Sequence, residues 1–223
     1  MNHPLLSLLS LVVFTATVVS SAHLSAQAPG KTKHDGWESL FDGKTLKGWK
    51  ITQFGGEGAV EVEDGAITMD FGSYLTGITY EGDLPTTNYE LALEAKRVDG
   101  IDFFCATTIP VDKSHCTLIV GGWAGAVVGL SNLDGQDASQ NETTTYMAFK
   151  TDRWYRIRIR VRPDRIQAWI DDKQVVDVDI RQRRMDTRPE VDLSKPLGIA
   201  AWETRSALRR IRIRKLDGEK PAE

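Results

Sequence analysis

The chain has 223 residues, 41% of them hydrophobic and 26% charged, the balance of a protein with a buried core and not of a disordered or fibrous one. A formal net charge of −3 excludes the basic excess that a nucleic-acid partner requires. In chain order, residues 1–28 read as a secretory leader: Leu5 to Val19 is an apolar run interrupted only by Ser7, Ser10, Thr15 and Thr17, small residues follow, and cleavage after Ala22 or Ala28 is expected. That run is shorter than the ~20 residues needed to cross a bilayer, so no membrane span is expected, and the mature chain belongs in the periplasm or outside the cell. Residues 29–35 form a polar tail, residues 36–216 one folded domain, and residues 217–223 a second polar tail.

The domain opens on G-W-E-S-L-F-D-G-K-T-L-K-G-W, from Gly36 to Trp49. Trp37, Leu40 and Phe41 supply bulk for a first strand, Asp42-Gly43 a turn, and Leu46 to Trp49 a return to the core. This segment resembles the opening signature of the 3-keto-disaccharide hydrolase domain family, and the likeness continues as pattern to about Arg214. The resemblance implies an exported bacterial protein with a concanavalin-like jelly-roll fold that acts on sugars carrying a ketone at C3.

Further along, Tyr89 to Lys96 alternates, placing Tyr89, Leu91, Leu93 and Ala95 on a dry face and Glu90, Ala92, Glu94 and Lys96 on a wet one. Cys105 and Cys116 lie in the arms of a hairpin around Ile109 to Ser114. In an oxidising compartment they either bridge the strands or remain buried thiols. Trp154 to Arg162 alternates again, Arg165 to Ile180 reads as a hairpin turning at Asp171-Asp172-Lys173, and Leu208 to Lys215 sets Ile211 and Ile213 against Arg210, Arg212 and Arg214. The arginines are expected to form the wet side of neighbouring strands, with Trp154 and Trp169 beneath guanidinium groups; an acidic glycan surface is the alternative. No stretch keeps a helical period. The expected fold is all-β, a two-sheet antiparallel jelly-roll sandwich of the concanavalin A-like lectin/glucanase type.

Three neighbourhoods carry candidate chemistry. In the first, Asp102 stands beside Phe103 and Phe104, where it either caps a turn or, partly desolvated with its proton affinity raised, serves as a general base. His115, the one histidine within the folded part, is either a solvent-facing turn residue or an acid/base group, and its isolation excludes a multi-histidine metal site. In the second, Gly121-Gly122-Trp123-Ala124-Gly125 allows a close backbone approach while Trp123 offers a flat apolar face to a sugar, and Asn132, Asp134, Asn141 and Glu142 could meet hydroxyls. The Asn132 to Asp137 loop faintly resembles a calcium loop but lacks EF-hand spacing, so no cofactor is expected. In the third, Trp202-Glu203 occupies the place of the family's Gly-x-x-x-His-Gly turn. The family's Glu-Trp-Asn element likewise reads Arg153-Trp154-Tyr155. A G-x-S-x-G elbow, a phosphate loop and the family-16 glucanase signature are all absent; for the last, Glu190-x-Asp192 begins the pattern and Lys195 breaks it.

The resemblance implies cleavage of 3-keto-glycosides by removal of the C2 proton, elimination and hydration. Asp102 is expected as base, His115 or Glu142 as acid, and Trp123 and Trp202 as sugar platforms, with Asn132, Asp134, Asn141 and Glu203 as further substrate contacts. The partner is a small saccharide or polysaccharide. A non-catalytic carbohydrate-binding module of the same fold and a structural or adhesive surface domain are the alternatives.

Overall fold

Period-two patterning runs through the chain from Gly36, and the computed structural model, which describes residues 36–216, resolves it into two antiparallel sheets. The expected leader and both polar tails lie outside the described residues. In chain order the strands are β1 (Glu38–Ser39), β2 (Trp49–Ile51), β3 (Val60–Glu63), β4 (Ala66–Met69), β5 (Leu75–Tyr80), β6 (Tyr89–Gly100), β7 (Cys105–Val111), β8 (Ser114–Gly121), β9 (Val127–Ser131), β10 (Thr145–Tyr146), β11 (Tyr155–Val161), β12 (Arg165–Ile170), β13 (Lys173–Asp179), β14 (Gly198–Trp202) and β15 (Thr204–Lys215). The first sheet has the order β13-β12-β11-β6-β15-β4-β3, with β1 also on β15, and the second has the order β10-β9-β8-β7-β14-β5-β2. Hairpins give the local pairs, whereas β6–β15 and β7–β14 join strands about a hundred residues apart in sequence. This is a jelly-roll sandwich.

The inner faces of both sheets meet in one apolar cluster that includes Ile67, Leu91, Leu93, Leu118, Leu130, Ile157, Ile159 and Ile199. Each such side chain contributes about 1.5–3 kcal/mol by leaving water. The opening segment behaves as its residues suggest. Trp49 is buried and its indole N–H donates to the Leu40 carbonyl at 2.7 Å, while the Asp42 carboxylate accepts the backbone N–H groups of Lys44 and Thr45 at 2.8 and 2.7 Å. Trp37 instead lies outside the core, beneath Arg212 and Arg214 at 4.8 and 4.7 Å.

The supposedly wet face of β6 differs from expectation at Glu90, which is fully buried. Arg158 and Arg160 donate to it from β11 at 3.0 and 2.7 Å, and Arg214 donates from β15 at 2.7 Å, so three side chains from flanking strands roof it over. Trp169 lies 3.9 Å beneath the Arg158 guanidinium and Trp154 lies 4.1 Å beneath that of Arg209. A bulge in β15, where Arg210 takes φ 53°, lets Arg209 join Arg210 on the same face, and both reach Glu94.

The β7–β8 hairpin forms, but a Cys105–Cys116 bridge does not. The register opposes Cys105 to Val120 and Cys116 to Ile109, which sets the two thiols four residues apart along the ladder. Four strand residues span ~13 Å, beyond the ~7 Å that a disulfide tolerates between Cα atoms. Both thiols are buried, and burial pushes each up to about 12.

On β8 the core takes Cys116, Leu118 and Val120, so the alternate residues His115, Thr117 and Ile119 face outward. Thr108 of β7 meets Thr117 across the ladder at 2.9 Å, and Ala106 and Ile119 pair beside them. A short 3-10 helix, Pro189–Ser194, lies against this outer face of the second sheet, contacting β14 and β5. A Cβ on Gly198 would fall 2.5 Å from the Ser194 carbonyl oxygen, so the glycine lets the helix lie on the sheet.

Candidate functional site

Between that outer face and the 3-10 helix lies a cavity of about 210 Å³, lined largely by apolar atoms. Leu75 of β5, Thr117 and Ile119 of β8, Ser131 of β9 and Trp202 of β14 come from the sheet, Arg188, Glu190 and Val191 from the helical segment, and Asp102, Phe103 and Trp123 from loops. The volume equals roughly seven waters at ~30 Å³ each and falls below the ~300 Å³ of drug-sized sites, so it suits a single ring. Two of the three sequence neighbourhoods supply its tryptophans, and the first supplies Asp102.

The Gly121 to Gly125 segment is a tight turn with left-handed backbone, φ 48° at Trp123 and 64° at Ala124. Two adjacent non-glycine residues in this region cost ~1–3 kcal/mol each, and such strain persists where the surroundings over-determine it. Here the determinant is Arg97, 6% exposed, reaching from β6 under the turn. Its Nη2 donates to the carbonyls of Asp102 at 3.1 Å, Gly121 at 3.3 Å and Gly125 at 3.2 Å, and its guanidinium packs 5.2 Å from the Phe104 ring. Burial lowers the arginine's proton affinity and the nearby Asp102 charge partly restores it. A Cβ on Gly125 would meet the Ile101 carbonyl at 2.7 Å, which is why glycine stands there.

Asp102 takes the turn-capping role that was one of its two expected readings. It caps the turn, accepting the Phe103 N–H at 2.7 Å and the Ala124 N–H at 3.2 Å, and it also borders the cavity. Trp202 lines the cavity with the Phe103 and Tyr74 rings tilted against it at 6.2 and 5.4 Å.

The remaining expected site residues lie elsewhere. His115 is on strand β8 and not in a turn, two residues before Thr117 and outside the cavity lining; burial and Lys195 lower its proton affinity against the opposing charge of Asp192. Glu142 pairs with Arg183 at 2.6 Å, which holds its carboxyl low, and Asp134 takes the same arginine at 2.5 Å together with the Arg184 backbone N–H. Asn141 is buried and fully engaged: its amide donates to the carbonyls of Leu130, Gln136 and Asp137 while its oxygen accepts from Thr143. It organises the loop and has nothing left for a sugar. Asn132 accepts from the Ser131 hydroxyl at 3.1 Å, and Glu203 donates its backbone N–H to the Tyr74 carbonyl; neither lines the cavity. Among the described residues no cluster of three His, Cys, Asp or Glu is arranged to hold a metal ion.

Sequence reasoning missed Arg188 and Glu190. The Arg188 guanidinium forks onto Glu190 at 2.9 and 3.3 Å and also reaches Asp137 at 3.2 Å, which holds the Glu190 carboxyl below its ordinary value. Glu190-x-Asp192 drew notice only as a broken glucanase signature, and no spacing rule links it to Asp102.

Residues 36–214 match the family model of the 3-keto-alpha-glucoside-1,2-lyase-like domain. No curated protein sequence matches the chain. Among solved structures, a protein of Parabacteroides distasonis predicted to be a glycosyl hydrolase superposes with a TM-score of 0.51 at 13% identity, covering 86% of this chain and 99% of that one. The Crh5 transglycosylase in complex with NAG gives 0.54 at 12% identity, with 82% and 85% covered. The exoplasmic/lumenal domain of VIP36, bound to Ca2+ and Man3GlcNAc, gives 0.54 at 10% identity, with 84% and 91% covered. At these identities the likeness establishes the concanavalin-like sandwich.

Proposed function

Because the chain belongs to the 3-keto-alpha-glucoside-1,2-lyase-like family, we propose that it cleaves glycosides whose sugar carries a ketone at C3. One observation carries this reading: a single ring-sized cavity borders Asp102, Trp123, Trp202 and Arg188 together. A C3 ketone acidifies the C2 hydrogen, so a modest base suffices. Asp102 takes that proton, the electron pair forms the enolate, and the Arg188 guanidinium stabilises the enolate oxygen. Collapse of the enolate forms the C1–C2 double bond and breaks the bond from C1 to the leaving oxygen. Since neither His115 nor Glu142 lines the cavity, and Glu190 is held ionised by Arg188, the protonated Asp102 is the acid that completes the leaving alcohol. Water then adds at C1 and a proton returns to C2, restoring the 3-keto sugar, and the sum is hydrolysis. Trp123 and Trp202 offer flat faces to the ring. Export by the 1–28 leader belongs to the same proposal, and the amino-terminal sequence of protein recovered outside the cytoplasm tests it.

A second reading, capture of a saccharide without turnover, is favoured by the engagement of Arg188 with Glu190 and Asp137, and by the departures at Trp202-Glu203 and Arg153-Trp154-Tyr155 from the family pattern. Incubation with a 3-keto-glucoside and with its unoxidised parent separates the two. Release from the keto form alone, reduced at least ~100-fold in kcat/KM by Asp102→Asn, is the expected result. Binding without release assigns the binding module, and full turnover by the Asp102→Asn variant removes the proposed base.

A further inference from the structure

On the side of β6 that faces away from the core, Glu90, Ala92 and Glu94 stand in successive rows, each flanked by one arginine of β11 and one of β15. Arg160 and Arg214 flank Glu90, and both donate to it at 2.7 Å. Arg156 and Arg209 flank Glu94, which accepts from Arg209 at 2.7 Å and from Arg210, brought to the same face by the bulge, at 2.8 Å. The middle row repeats the pair of arginines, Arg158 and Arg212, but sets an alanine between them. With strands ~4.8 Å apart, these two side chains start ~10 Å from one another across a methyl group, and a gap is left where the neighbouring rows hold a carboxylate. Arg212 accordingly makes no ion pair among the described residues and lies only over the Trp37 ring, at 4.8 Å. Arg158 lies 3.9 Å over Trp169, its partner on β12, and its one carboxylate contact is through Nη1 to Glu90. A guanidinium stacked by its face keeps the N–H groups in its plane for an acceptor at its edge.

The geometry points to an anion site in this middle row, where the carboxylate of a uronic acid residue in an acidic polysaccharide takes the place between Arg158 and Arg212 that glutamate takes in the rows on either side. A depression of about 540 Å³ covers the row and is lined by Ala92, Arg158, Arg210 and Arg212, with Trp37 and Trp169 supplying apolar surface for the C–H groups of a sugar ring. The carboxylates that also line it are already engaged: Glu94 by Arg209 and Arg210, Asp171 by Arg153 at 2.7 Å, and Asp172 by Arg156 at 2.9 Å. A second depression of about 420 Å³ adjoins the first across Glu94 and Arg156 and adds Trp154, which gives the site the length of a chain and not of one ring. β6, β11 and β15 each have a strand on both sides, so an acidic peptide cannot dock here by adding a strand, and side chains alone read the ligand. The site is on the other sheet from the cavity and stands whether or not the cavity cleaves.

The test titrates tetragalacturonic acid, its methyl ester and hexaglutamate into the full chain by calorimetry. The expected result is binding of the free acid, weakened at least ~10-fold by methyl esterification and by Ala92→Glu, which gives Arg158 and Arg212 the carboxylate they lack. Arg212→Gln, a change at an exposed position, should bring a loss of the same size, and circular dichroism checks that each variant keeps its fold. If Ala92→Glu fails to fold, Arg212→Gln decides alone. Raising NaCl from about 50 to about 500 mM should weaken binding further, since the arginines are reached from solvent. No binding of the acid, equal binding of its ester, or undiminished binding by the folded variants overturns the inference. Hexaglutamate or a single-stranded oligonucleotide binding as tightly as the tetrasaccharide would assign the row to polyanions at large and overturn it as well.

Discussion

Arg97 shows how one residue can couple a core to a site. The alternation of β6 carries Tyr89, Leu91, Leu93 and Ala95 inward, and the next position in that phase is Arg97. A cation in phase with the core was visible in the sequence, and it marks the strand end that underlies the Trp123 turn. What it grips was not visible, because the carbonyls of Gly121 and Gly125 come from the end of β8 in the other sheet and from the turn that follows it. Replacing Arg97 with Met keeps bulk but leaves three backbone carbonyls unpaired, at ~1 kcal/mol or more each. The expected result is a loss of about 3 kcal/mol, read as a fall in Tm of roughly 10 °C, with a red shift of tryptophan emission as the turn loosens. An unchanged Tm would show that the turn holds itself.

The strands place charge as deliberately as they place apolar bulk. Burial pushes the Glu90 carboxyl up, but hydrogen bonds from Arg160 and Arg214 outweigh it and leave the group below its ordinary value. A carboxyl depressed on folding contributes stability above its unfolded pKa of ~4.3, and that contribution is lost as pH falls through the folded value. Glu90→Gln should therefore cost about 3 kcal/mol at neutral pH by leaving three arginines facing one another, and the gap to wild type should close below about pH 4 in urea titrations. A constant gap across pH would mean that packing, not charge, sets the cost. Alternation read in sequence assigned Glu90 to the correct face but called it wet, since the roof over it comes from β11 and β15. The same hairpin logic identified β7–β8 yet could not fix its register, which separates Cys105 from Cys116. With both thiols pushed up to about 12, a thiol reagent at pH 8 should label neither until the chain unfolds and then both. Labelling of the native protein would contradict their burial.

At the scale of the molecule, the fold class was legible because period-two strands and turn residues repeat from Gly36 to Lys215. The cavity was legible in part. Asp102, Trp123 and Trp202 announced themselves as a carboxylate, a glycine-flanked aromatic and a second aromatic in turn-rich places. Asn141, Asp134 and Glu142 looked similar in sequence and turned out to hold a loop, Asn141 through five hydrogen bonds and the two acids through Arg183. Arg188 and Glu190 reach the cavity only because the 3-10 helix lies on β14 and β5, a placement that no local pattern encodes.

The last two strands settle when this domain can exist at all. β15 lies between β6 and β4, and β14 between β7 and β5, so both sheets keep a gap near their middle until the final stretch of the domain has been made. A ribosome-bound chain lacking that stretch carries raw strand edges in both layers and has no complete hydrophobic interior to settle into. A version ended after Pro196 should accordingly give no native circular dichroism and precipitate, and a soluble, cooperatively melting product would show that the earlier strands close up by themselves.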